Sequence, residues 1–311
     1  MPEYYNTLLK RHPDNPIISP ADFLHGRADA VFNCGQTVYR DRTVLLLSVV
    51  LSDSLQPAIY VAESDDGIHF DIRSKPFMTH TTEPGLAKYD SWVIDPRVTR
   101  IGDTYYIVRP TGSTAHALLY KTEDFETCEF VDCIALSHNR VPCLFPEKIG
   151  GYYWRLDRPS LGRPPDNPGG IWISRSPDLV HWGHFRPLLE PFIHWARFKI
   201  GPTPPIRTEH GWLEIIHGVS RSCSTTRYSL GAMVLDCDDP GRVVGRMNGY
   251  LLTPEMPYEQ SGCTPDVVFT CGTVADEERD RLRVYYGGAD TCICLAEGSL
   301  KQIVAACLGD G

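Results

Sequence analysis

Two arginines, Arg140 and Arg158, bracket an apolar, aromatic-rich stretch that turns at Gly150-Gly151 and closes on Pro159. Held by a hairpin, two guanidiniums make a fork suited to an oxyanion, most simply phosphate. Either one alone reads as an ordinary ion-pair partner. Asn33, Asp95, Lys199, His217 and Asp290 stand in similar apolar or Gly/Pro-rich settings. A charge in such a setting is costly unless it is paired or used. Asp95, within Trp92-Val93-Ile94-Asp95-Pro96-Arg97, is placed for partial desolvation, which favours the neutral carboxyl and suits a general acid; pairing with adjacent Arg97 is the competing explanation. Arg140, Arg158, Lys199 and His217 would, if convergent, hold a dianion.

These residues are far apart in sequence, so an element that repeats must bring them together. From Asn15 the chain reads as short strands and turns. A first unit runs from Val31-Phe32-Asn33 through Val44-Leu45-Leu46-Leu47 and Ala58-Ile59-Tyr60-Val61-Ala62 to the turn Ser64-Asp65-Asp66-Gly67. The pattern returns at Val98 to Phe125, in the arginine hairpin through Trp182, at Pro205 to Asp236, and at Asp266 to Ala296. Five units at roughly 55-residue spacing, with turn chemistry in the same order, predict an all-β fold, a five-bladed β-propeller whose channel mouth collects loops from every unit. A pair of β-sandwiches is the rival. No long helix is expected: the best candidate, near Glu190 to Phe198, is short and interrupted by Pro191. The reading is one domain over 1–311 with short N-terminal and C-terminal extensions.

Composition bounds the partners. The chain has 311 residues, 42% of them hydrophobic, and a formal net charge of -9, which argues against nucleic acid as the main partner. No apolar run approaches membrane-spanning length and the start lacks a signal-peptide pattern, so a cytoplasmic protein without a membrane partner is expected. The 11 cysteines are odd in number, scattered and without a Cys-x-x-Cys pair, as for reduced core thiols. A homo-oligomer is left open, because a propeller closes its core without a partner while the terminal segments offer a surface for one.

The order Asn33, Asp95-Pro96-Arg97-Val98, Leu144-Phe145-Pro146-Glu147-Lys148-Ile149 with Arg158-Pro159-Ser160, Lys199-Ile200-Gly201, His217-Gly218-Val219 and Tyr285-Tyr286-Gly287-Gly288-Ala289-Asp290 resembles glycoside hydrolase family 130 over nearly the whole chain. The resemblance implies a five-bladed propeller acting on β-mannosides, in most members as an inverting phosphorylase and in some as a hydrolase. It implies Asp95 as proton donor, acting through a sugar hydroxyl. It also implies Arg140, Arg158, Lys199, His217 and Tyr228 around phosphate, and Asn33 and Asp290 on the sugar. Retention of the cationic set favours phosphorolysis of a short β-mannoside to α-mannose 1-phosphate and a shortened sugar. The chemistry agrees, since inverting hydrolysis needs a second carboxylate to activate water, whereas phosphate arrives as an anionic nucleophile. No metal or organic cofactor is called for, only inorganic phosphate as co-substrate. The alternatives are a hydrolase of the same fold, with Glu147 or another carboxylate as base, and a non-catalytic glycan-binding propeller. Three departures stand out: Ser48 replaces a family arginine on the sugar, Asp157 beside Arg158 is expected to neutralise it partly, and a shortened loop after Lys199 is expected to displace that lysine.

Overall fold

Strand β3 (Arg42–Leu51) shows why the chain folds as it does. Along it, Val44 and Leu46 point to one side while Leu45, Leu47 and Val49 point to the other, and all are buried. Side chains alternate across a strand, so a strand apolar on both faces must lie between two other layers. The computed structural model, in which residues 7–54, 56–112, 115–160, 169–221 and 225–309 are described, supplies those layers as five antiparallel sheets arranged as a five-bladed β-propeller.

After β1 (Lys10–Arg11), blade I is β2 (Ala28–Tyr39), β3, β4 (Pro57–Ser64) and β5 (Asp71–Ile72). Blade II is β6 (Arg97–Ile101), β7 (Thr104–Pro110), β8 (Ala117–Thr122) and β9 (Glu129–Ala135). Blade III is β10 (Cys143–Leu144), β11 (Tyr153–Asp157), β12 (Ile171–Ser176) and β13 (Gly183–Leu189). Blade IV joins β14 (Lys199–Gly201) and β15 (Ile206–Thr208) to β16 (Gly211–Arg221), then β17 (Thr226–Leu235) and β18 (Val243–Arg246). After the short helix α1 (Pro257–Gln260), blade V joins β19 (Val268–Phe269) and β20 (Val274–Asp276) to β21 (Arg281–Gly288), then β22 (Cys292–Gly298). Its fourth position is filled by β1, where Lys10 pairs with Glu297 and Arg11 with Ala296, so the ring closes across the two ends of the fold.

Apolar side chains fill the space between each pair of neighbouring blades. Val44 and Leu46 meet Ile107 and Leu118 between blades I and II, Leu156 and Ile173 meet Trp212 and Ile216 between III and IV, and Leu45 and Leu47 meet Ile293 and Leu295 between V and I. Each such side chain contributes about 1.5–3 kcal/mol on leaving water. The turn after the third strand repeats its chemistry in blades I to III. Asp66, Asp124 and Asp178 accept backbone N–H bonds two and three residues on. A left-handed residue follows each time, Gly67, Phe125 and Leu179 at φ 77°, 57° and 71°.

Helix placement differs from expectation. Residues His194–Ala196 form only a 3₁₀ turn, and the longest helix among the described residues is α2 (Leu300–Leu308). Ser299 caps it by accepting the Gln302 N–H, and Gly309 ends it at φ 83°. Leu300, Ile303, Val304 and Cys307 then seal the core between blades IV and V. No helix is long and apolar enough to cross a membrane among the described residues.

Candidate active site

The first strands of blades I to III converge, β2 packing on β6 and β6 on β10, and β20 and β21 of blade V close on β2. At the mouth of the channel they enclose a cavity of about 600 Å³. Asn33, Asp95, Arg140, Arg158, Lys199, His217, Tyr228 and Asp290 all line it.

One side carries carboxylates. The β2–β3 ladder slips between Phe32 and Gly35, a bulge that turns Asn33 into the left-handed region at φ 42° and aims its side chain inward. Its Nδ2 donates to Asp95 Oδ1 at 3.0 Å and to Asp290 Oδ1 at 3.2 Å. Asp95, just before β6, and Asp290, in the turn between β21 and β22, are also left-handed, at φ 55° and 49°. Non-glycine residues in this region are strained and cluster where function demands it. Gly287 makes the arrangement fit, because a β-carbon there would collide with Asn33 Oδ1. Burial raises Asp290 to about 6, with the Asp95 charge adding to the effect. The long segment leading to Asp95 is pinned by a buried pair: Arg109 donates to both oxygens of Asp90 at 2.8 and 2.6 Å, and Asp90 accepts the Thr81 N–H. Asp95 does not pair with Arg97, whose guanidinium turns away to the Pro202 carbonyl and Cys143.

The opposite side is cationic. The arginine hairpin forms as its sequence suggests, with Gly150 and Gly151 at φ 59° and 84° and a bridge between Asn139 and Pro159 below it. Arg140 enters before β10, its guanidinium 3.9 Å from Asp95 Oδ2. Arg158 follows β11 and is buried, and burial with the nearby Arg140 and Arg97 charges brings it down to about 10, against a pull upward from Tyr228. Lys199 opens β14 with its Nζ 4.9 Å from the Tyr228 ring centre; burial, then Arg158 and Arg140, lower it to about 7. His217, on β16, lies opposite Gly201 of β14, and burial beside these cations pushes it well below the usual histidine range. Its ring packs on Phe269 at 4.8 Å, and Gly201 lets β14 approach it, since a β-carbon there would meet the imidazole. Neither Arg158 nor Lys199 has a carboxylate partner among the described residues.

Two of the departures resolve differently from expectation. Asp157 does not neutralise Arg158: its carboxylate pairs with Arg155 at 2.8 Å and accepts from Asn139 and Ser174, both at 2.6 Å. Asn139 then accepts the Arg158 N–H at 3.0 Å, so Asp157 holds the arginine's backbone and leaves its charge free. The shortened loop does not remove Lys199 from the cavity. Ser48 lies behind the lining, wholly buried, and Glu147 stands exposed on the hairpin away from it. Sequence reasoning missed Phe32, Trp92, Thr264 and Phe269, which also line the cavity. Trp92 could have been found, two places before Ile94 and on the same side of an extended segment; Thr264, in a polar loop, carries no such signal.

Fold and cavity together define a five-bladed propeller with a carboxylate side and a cationic side facing each other across its channel mouth. The chain belongs to glycoside hydrolase family 130: the family model, described as beta-1,4-mannooligosaccharide phosphorylase, matches residues 9–308. It is 35% identical over 310 residues to a beta-1,4-mannooligosaccharide phosphorylase of Ruminococcus albus, covering 96% of this chain and 90% of the relative. It is 39% identical over 252 residues to a beta-1,2-mannobiose phosphorylase of Listeria innocua, covering 79% of this chain and 67% of the relative. The solved Listeria innocua beta-1,2-mannobiose phosphorylase, in complex with beta-1,2-mannobiose, superposes with a TM-score of 0.83 at 30% identity over 96% of this chain and 99% of that one.

Proposed function

We propose that the protein is an inverting glycoside phosphorylase that cleaves a short β-mannoside with inorganic phosphate, giving α-mannose 1-phosphate and a sugar one unit shorter. The observation that carries this reading is the uncompensated cationic side, Arg158 and Lys199 without carboxylate partners beside partly exposed Arg140. These three cations, Arg158 among them buried, repel one another, and a bound dianion relieves that repulsion. Phosphate held there by Arg140, Arg158, Lys199, His217 and Tyr228 faces the sugar bound by Asn33 and Asp290. Its oxygen forms a bond to the anomeric carbon as the glycosidic bond breaks from the other face, and Asp95 supplies a proton to the leaving oxygen through a sugar hydroxyl. Fixed cations position the nucleophile and offset its approach to the carboxylates. Phosphate enters as co-substrate, and this chemistry calls for no metal or organic cofactor. A water-activating base on Glu147, the hydrolytic alternative, is disfavoured by that residue's exposure on the hairpin.

The linkage is read by assay, since the relatives act on both β-1,4 and β-1,2 mannosides by name. The buried thiols of Cys34, Cys143 and Cys271 fit a reducing, cytoplasmic setting. Cleavage of β-1,4- and β-1,2-mannobiose is measured with and without phosphate. Turnover should require phosphate, release mannose 1-phosphate and fall at least about 10³-fold in Asp95→Asn. Free mannose released at the same rate in phosphate-free buffer would reject the reading.

A further inference from the structure

Ser48 sits where the family resemblance anticipates an arginine on the sugar, yet its side chain faces away from the cavity and into the fold. Its Oγ donates to the Asn33 carbonyl at 3.0 Å and accepts the Asp95 backbone N–H at 3.2 Å. The bulge in β2 is what makes this contact necessary. Where the ladder slips, the Asn33 carbonyl has lost its place opposite β3, and a buried carbonyl without a partner is costly. The Asp95 N–H, on a segment outside any sheet, has the same need. One hydroxyl, wholly buried, meets both and so joins two left-handed residues from different blades, whose side chains already bond to each other inside the cavity.

We infer that Ser48 is a positioning residue for Asp95: its hydroxyl latches the bulge at Asn33 to the backbone of the acid and sets the direction of that carboxyl. The inference rests on Asp95 being the proton donor. It assigns the serine to proton transfer, with no part in holding phosphate, because its bonds reach only the carboxylate side.

The test compares wild type, Ser48→Ala, Ser48→Thr and Asp95→Asn. Removing the hydroxyl should lower kcat about tenfold, shift the pH profile of kcat and leave the dissociation constant for inorganic phosphate within about twofold, as expected for binding on the far side. Hydrogen exchange at the Asp95 amide, followed by mass spectrometry, should speed up in Ser48→Ala, while threonine, which keeps the hydroxyl, restores slow exchange and most of kcat. Unchanged kcat, or unchanged exchange at Asp95 in Ser48→Ala, overturns the inference, as does a parallel loss of phosphate binding, which would signal general damage. Full turnover in Asp95→Asn would instead reject the acid assignment, and the exchange rate would still decide whether the latch exists.

Discussion

At the scale of single residues, the cationic side makes opposite demands on binding and on stability. Lys199 is lowered to about 7 in the fold, against about 10.4 in an unfolded chain. Between those values the unfolded state holds the proton that the folded state has lost, so this group makes the protein more stable as pH rises through that window. Phosphate affinity should run the other way, with the KM for phosphate climbing above about pH 7 as the ammonium deprotonates. Lys199→Met should abolish that limb of the profile and raise the Tm of the phosphate-free protein at pH 6 to 7, readable by scanning calorimetry across pH. Asp157 offers a second test. Were it neutralising Arg158, Asp157→Asn would tighten phosphate binding. Because it instead pairs with buried Arg155 and carries Asn139, the substitution should cost about 3–5 kcal/mol of stability and weaken phosphate binding, as measured by denaturant titration and isothermal calorimetry.

At the scale of elements, the site is made by irregularities at the inner ends of regular strands: the bulge in β2, the left-handed turn after β21 and the close approaches at Gly201 and Gly287. Gly287→Ala should leave the blade folded but push Asn33 out of reach of Asp95 and Asp290, lowering kcat/KM for the mannoside about 10²-fold with phosphate binding intact, as steady-state kinetics and calorimetry would show. Much of this scale was legible in the sequence. Strands buried on both faces wrote continuous apolar runs such as Val44 to Leu47, and the Asp66, Asp124 and Asp178 turns marked the repeat. A costly polar residue near the inner strands of each unit marked where the site is built. What stayed hidden depended on direction. Nothing local tells that Asp157 faces Arg155 in place of its neighbour Arg158, or that Ser48, an unremarkable strand serine, lies under the bulge. Helix α2 was overlooked although Ser299, the apolar run of Ile303, Val304 and Cys307, and Gly309 spell its start, face and stop.

At the scale of the whole molecule, the ring depends on β1. Arg11 donates from Nε to Glu259 Oε1 at 2.7 Å and from a terminal nitrogen to Oε2 at 2.9 Å, and Tyr286 also donates to this wholly buried carboxylate. Arg11→Ala should therefore cost about 3–5 kcal/mol and lower the Tm by several degrees, because it strands a buried charge as well as loosening a two-residue strand. The closure could not be read from the sequence, since Lys10-Arg11 is too short and too polar to announce a strand until Glu297 and Ala296 are seen beside it. It also sets a clock on the ribosome. At ~5–20 residues per second, β1 emerges on the order of 15–60 s before β22, and for all that time the first strand has no partner. Asn33 likewise waits for Asp290, so a nascent chain carries Asp95 and the arginines but no assembled pocket, which closes only when synthesis has delivered the last blade.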